Sequence, residues 1–115
     1  MNSNIKQQWI NALRSGEYSQ GAGHLRNLDG FCCLGVLCDI YSKETGTQWE
    51  PDFNGRFSLF YGESNYLPEV VKEWAGLDRQ NPWVNTSEGA ITELAYLNDN
   101  GTTFSEIAQM IEEQY

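Results

Sequence analysis

The sequence predicts an α+β fold, with three to four helices around a central apolar helix and one or two short β-hairpins. Three observations carry that reading. The run from Cys33 to Lys43 is apolar on nearly every side, the mark of a helix in the middle of a domain. Segments near both ends of the chain repeat apolar residues at helical spacing. Between them lie short aromatic stretches broken by Asn54-Gly55 and Asn81-Pro82, a pattern of turns and small strands. At 115 residues the chain has room for one core and a single domain, 1–115.

The first helix is expected over residues 4–15, where Ile5, Trp9, Ile10, Ala12 and Leu13 share a face. Ser3 is its candidate N-cap and Gly16 its stop. Gly16, Gly21 and Gly23 then forbid a stable helix, and Asp29-Gly30 marks a turn. Short strands at Gly23–Arg26 and Phe31–Cys33 are expected to flank that turn as a hairpin. Gly35, inside the central helix, costs about 1 kcal/mol against alanine, which makes it a close-packing point. Asn54-Gly55 between aromatics predicts a second hairpin.

Pro68 suits the first turn of the next helix, with Val70, Val71, Trp74 and Ala75 facing inward up to Gly76. A short strand is expected at Trp83–Asn85, whereas Ile91–Leu97 reads equally as strand or helix. Thr103 and Glu106 form a capping box for the last helix, in which Phe104, Ile107, Met110 and Ile111 share one face. The predicted core comprises Leu34, Val36, Leu37, Ile40, Trp9, Leu13, Ile107 and Ile111.

Charge and composition exclude several function classes. Seven Lys+Arg against sixteen Asp+Glu give a formal charge of −9, which opposes non-specific binding to nucleic acid or an anionic membrane. No apolar run approaches the about 20 residues of a membrane span. The first residues lack the apolar stretch of a signal peptide, so a cytoplasmic location is expected. Three cysteines, two of them adjacent (Cys32, Cys33) and the third Cys38, cannot form a complete disulfide framework. They read as reduced, buried residues. With His24 the sole histidine, neither a zinc site nor paired-histidine chemistry is expected. A Cys/His pair drawn from Cys32 or Cys38 with His24 would need an exposed thiol, and the surroundings of both are apolar.

Among polar stretches, Gln20-Gly-Ala-Gly-His-Leu-Arg26 is the most suggestive of a ligand. Glycines expose backbone N–H groups that cradle anions, and Arg26 adds a charge-assisted contact. The stretch is neither a P-loop nor a dinucleotide fingerprint. Asn98-Asp-Asn-Gly-Thr-Thr is laid out like part of a calcium loop. Aligning Gly101 to such a loop, however, puts Tyr96 and Ile107 where carboxylates are required, so it reads as a turn feeding the Thr103 cap. Most tryptophans are expected in the core, with one or two lining a pocket.

Taken together, four strings carry a resemblance. They are Trp9-x-x-Ala12-Leu-Arg-Ser-Gly16-x-Tyr18-x-Gln20-Gly21, Cys32-Cys-Leu-Gly-Val-Leu-Cys-Asp39, Leu67-Pro68-x-x-Val-x-x-Trp74-Ala-Gly-Leu77, and Leu97-Asn-Asp-x-Gly101-x-x-Phe104-x-Glu-Ile-Ala108. Over nearly the whole chain they resemble a family of small uncharacterised proteins of tailed bacteriophages and prophages. The resemblance implies an accessory protein acting in the host bacterial cytoplasm and carries over no catalytic residue.

Phage proteins of this kind often blunt host defence, and the expected function is binding and sequestration of a small anionic signalling nucleotide. A cyclic dinucleotide or cyclic ADP-ribose would be held without catalysis, in a pocket often built at a homo-oligomer interface. Tyr18, Gln20, Gly21, Gly23 and Arg26 are the residues expected nearest the ligand, with Arg14 and Trp74 as second contributors. No catalytic residue, metal or cofactor is expected. The alternative is direct inhibition of a host defence protein through an acidic and aromatic surface. Hydrolysis of the signal is disfavoured, because no nucleophile or metal set stands out.

Overall fold

The N-terminal helix starts one residue earlier than its sequence signal suggests. In the computed structural model, which describes residues 1–115, α1 (Ser3–Arg14) is capped by Asn2, whose Oδ1 accepts the Ile5 amide at 2.9 Å. Ser3 is therefore the first helical residue, not the cap. Ile5, Trp9, Ile10 and Leu13 are buried as expected, and Gly16 turns the chain away at φ +77°.

The expected hairpin around Asp29-Gly30 is only rudimentary. The turn exists: the Asn27 carboxamide oxygen accepts the amides of Asp29 and Gly30, and the Asn27 amide donates to the Gly30 carbonyl. Its strand, β1 (Arg26–Asn27), forms its ladder elsewhere. Phe31–Cys33 is not a strand, because Phe31 makes single bridges to Gln20 and Arg26 and Cys33 already opens a helix. Proximity to a later strand, residues Phe57–Leu59, wins over the local turn, and Arg26 pairs with Ser58, Asn27 with Phe57.

That helix, α2 (Cys33–Thr45), is buried continuously from Cys33 to Asp39. Its N-cap is a thiol, since the Cys32 Sγ accepts the Gly35 amide at 3.4 Å. It runs two residues past Lys43 and ends at Gly46, φ +78°. Trp9 of α1 donates its indole N–H to the Cys33 carbonyl at 2.9 Å, fixing the two helices together. Near the other end, Asp39 is buried and accepts from Tyr18 Oη (2.6 Å) and Trp49 Nε1 (3.1 Å), with Lys43 Nζ at 3.4 Å.

The hairpin predicted at Asn54-Gly55 forms from β2 (Glu50–Pro51) and β3 (Phe57–Leu59). The Asp52 carboxylate closes it by accepting the Asn54, Arg56 and Phe57 amides. The resulting sheet is antiparallel in the order β1-β3-β2. After Pro68, α3 (Glu69–Ala75) buries Val71 and Ala75 but leaves Val70 exposed and Trp74 half-buried. β4 (Trp83–Asn85) pairs antiparallel with β5 (Ile91–Glu93), and α4 (Leu94–Asp99) follows without a break. The ambiguous Ile91–Leu97 stretch is thus strand first and helix second.

The capping box stands as read: Thr103 Oγ1 accepts the Glu106 amide, and the Glu106 carboxylate accepts the Thr103 amide, opening α5 (Phe104–Gln114). Five helices and two small sheets make a mixed α+β domain, one short helix more than expected. The core gathers α1, α2 and α5, with Leu34, Val36, Leu37, Trp9, Leu13, Ile107 and Ile111 all buried; Ile40 sits half-buried at its edge. No helix is long and apolar enough to cross a membrane.

Candidate functional site

A polar groove lies where the loop before β1 meets α4 and the segments on either side of α3. Its inner cavity, about 220 Å³, includes His24, Tyr66, Asn81, Glu93, Tyr96 and Asp99 in its lining. An adjoining cavity of about 330 Å³ carries Lys72 and Arg79 and shares Tyr66, Asn81 and Glu93 with the first. The three shared residues therefore form the junction of one continuous depression.

Each junction residue is positioned by backbone needs nearby. A helix leaves its first amides unpaired, and α4 has no side-chain cap of its own. Instead Asn81 Oδ1 accepts the Ala95 amide at 3.1 Å and the Pro82 carbonyl accepts the Leu94 amide. This leaves the Glu93 carboxylate, at the N-cap position, outside any cap bond. It also orients the Asn81 carboxamide, because only the oxygen can accept an N–H. The Nδ2 group then has no protein partner and stays open to solvent, although the residue as a whole is only 7% exposed.

Around this junction the charges are arranged by distance. Arg79 holds its guanidinium 3.9 Å from the Trp83 ring centroid, with Nη2 3.6 Å from Glu93 Oε2. Lys72 is paired with Glu69 at 2.7 Å. At the inner end, Asp99 Oδ1 accepts the Gly23 amide (3.0 Å) and Asn98 Nδ2 (3.1 Å). His24 lies flat on Phe57, centroids 4.0 Å apart and planes 8° from parallel. Stacking thus sets the imidazole plane while hydrogen bonds set the carboxylate.

Cys32 also borders the inner cavity and is 2% exposed. Burial pushes its thiol up to about 11, against a weaker lowering effect of the Gly35 amide. Burial likewise holds Cys33 and Cys38 well above the ordinary thiol range. All three are free, and burial favours their protonated forms.

Residues 1–115 match one family model, described as a domain of unknown function, DUF8296. The chain belongs to the DUF8296 family. No curated protein and no solved structure matches it significantly.

In this DUF8296 chain the seven ligand residues expected from sequence are spread over several places. Gly23 lines the groove, while Gln20 and Gly21 face a separate open recess beside Asp29 and Asp99. Both glycine amides of the loop are occupied: Gly21 N–H donates to the Phe31 carbonyl and Gly23 N–H to Asp99. Gln20 is a clasp, donating to Asn98 Oδ1 and the Thr102 carbonyl and accepting the Phe104 amide. Arg26 stacks over Phe31 and Trp49, at 4.8 and 5.6 Å from their centroids, and Tyr18 packs edge-on against the same Phe31. Arg14 pairs with Glu112 on α5, and Trp74 packs against Tyr41.

Sequence reasoning did not single out Tyr66, Asn81, Glu93 or Tyr96. Asn81-Pro82 read only as a breaker, and nothing in a linear pattern joins residue 24 to residue 99. The sole available signal was His24, the single histidine, set in a polar loop.

Proposed function

We propose that this DUF8296 chain is a phage-type accessory protein that binds a small anionic signalling nucleotide in the groove and holds it without transforming it. The carrying observation is the unpartnered Asn81 amide between two unlike cavities. On one side carboxylates, an imidazole and tyrosines suit a base and a ribose; on the other, Lys72 and Arg79, with Asp78 and Glu93 beside them, are the cations that phosphates would engage. The Arg79–Glu93 contact, at 3.6 Å, is loose enough for a phosphate to compete for the guanidinium. Protonated thiols support a non-catalytic role, and three free cysteines agree with a reducing bacterial cytoplasm.

Calorimetry with a panel of cyclic dinucleotides and cyclic ADP-ribose isomers tests this reading, followed by heating to release the ligand. Intact ligand in the supernatant is the expected result, and altered ligand means an enzyme. Arg79→Ala is expected to weaken binding by about tenfold or more, the value of a charge-assisted hydrogen bond. Arg26→Ala is the companion variant: a larger loss there moves the site to the Gly-rich loop.

A second reading, direct binding of a host protein, is favoured by the lip of the groove. Trp83, Ile91 and Tyr96 are 51%, 69% and 61% exposed beside Glu93. Aromatic anchors with acidic neighbours suit a basic partner surface. No depletion of any nucleotide in the panel, together with a host complex abolished by Ile91→Asp, would select this reading.

A further inference from the structure

The inner cavity joins acceptors and donors, with His24, Asn65 and Asn100 in its lining beside the groups that follow. Two carboxylates, Glu93 and Asp99, face it as acceptors, and the Asn81 Nδ2, solvent-accessible on a residue 7% exposed, is a donor without a protein partner whose direction is set by the Ala95 bond. Tyr66 and Tyr96 supply aromatic surface. A purine filling such a site gains most when it presents two N–H groups to the carboxylates and an oxygen to the amide.

We infer that the cavity reads the base of a guanine nucleotide, with Glu93 and Asp99 accepting its ring N–H and exocyclic amine and Asn81 donating to its carbonyl oxygen. The inference rests on the nucleotide reading above and deepens it to one base. Adenine has one exocyclic donor and otherwise bare ring nitrogens, so a second carboxylate would meet lone pairs. Cytosine has the same shortage of donors. A guanidinium satisfies both carboxylates but carries no acceptor, so it forgoes the bond that the Asn81 amide offers. The sugar and phosphates then lead out past Tyr66 toward Lys72 and Arg79.

Titration calorimetry with GMP, IMP, AMP, cyclic di-GMP, cyclic di-AMP and argininamide tests the pattern. GMP and cyclic di-GMP are expected to bind, with AMP and cyclic di-AMP weaker by about tenfold or more. IMP, which lacks only the exocyclic amine, should lose about tenfold against GMP. Asn81→Asp keeps the oxygen that accepts the Ala95 amide but removes the donor, so GMP binding should fall by about tenfold or more. Glu93→Gln is the second variant, on a side chain outside the core, and should lower GMP affinity while melting is unchanged.

Adenine nucleotides binding as well as guanine nucleotides would overturn the inference and leave the nucleotide reading standing. Full GMP affinity in both variants would do the same. Binding of none of the nucleotides at millimolar concentration, or tighter binding of argininamide than of GMP, would overturn both.

Discussion

Gly35 of α2 lies directly against the carbonyl of Leu25: a Cβ built on it would fall 1.8 Å from that oxygen. The obstacle is backbone, held in place by the Leu25 amide on the Ser64 carbonyl and by the Cys32 amide on the Leu25 oxygen itself. Gly35→Ala must therefore separate helix from loop, at a cost of about 3 kcal/mol or more, the upper end for overpacking. Chemical denaturation checks this, and a loss below about 1 kcal/mol would mean the loop yields freely.

Asp39 holds Tyr18 and Trp49 to the end of α2 through two bonds to its two oxygens. Asp39→Ala strands the indole N–H and the phenol, at about 1–3 kcal/mol for each donor left dry. Tyr18→Phe removes a single hydroxyl and should cost less than Asp39→Ala. Equal losses in the two variants, measured by thermal and denaturant unfolding, would show that Trp49 finds another acceptor.

Serine scanning of the thiols should give an order. In Cys32→Ser the hydroxyl inherits the Gly35 amide, and serine is a favoured N-cap. In Cys33→Ser it inherits the Leu94 carbonyl, which the present thiol approaches at 3.7 Å. Cys38→Ser gains no such partner and should be the most damaging, by about 1–3 kcal/mol. Native thiols should also resist labelling at neutral pH, and rapid labelling with loss of ligand binding would contradict the structural role assigned to them.

The thiols make the fold sensitive to alkali. Cys32 has an ordinary value of 9.0 that burial raises to about 11 in the folded chain. Below 9 the thiol is protonated in both states, and its contribution to stability is fully present. Between 9 and about 11 the unfolded chain loses its proton while the folded chain keeps it. Stability therefore falls as pH rises, by about 1.4 kcal/mol per unit at full slope for this group. Cys33 and Cys38, raised in the same direction by burial, extend the loss further up. Unfolding free energies measured from pH 7 upward should decline above 9, and Cys32→Ala should flatten the first part of that decline.

Local chemistry foretold much of the framework. The Thr103–Glu106 box, the Asn54-Gly55 turn and the tight fit at Gly35 all follow from residues near one another in sequence. Where neighbours in space compete with neighbours in sequence, the local signal fails. Arg26 and Asn27 pair with a strand some thirty residues on, and Phe31, which the turn should have paired, is left with single bridges. The groove shows the same limit more severely. Asn81 acquires its role only because α4 lacks a cap, and the Gly21 and Gly23 amides are taken only because Phe31 and Asp99 arrive beside them. Composition, by contrast, correctly placed the cysteines, since an apolar setting is a property of the adjacent residues themselves.

The Gln20 clasp also has a bearing on the order of folding. It reaches 78 residues forward to Asn98 and 84 to Phe104. Closing a chain segment that long costs about 4 kcal/mol in entropy before a single bond is gained, and docking α5 on α1 closes a segment of 95 to 98 residues, so one closure serves both. Gly23 and His24, which follow it directly, take their places in the groove at the same step. A growing chain thus completes its core and its groove together, when its last helix folds back onto its first.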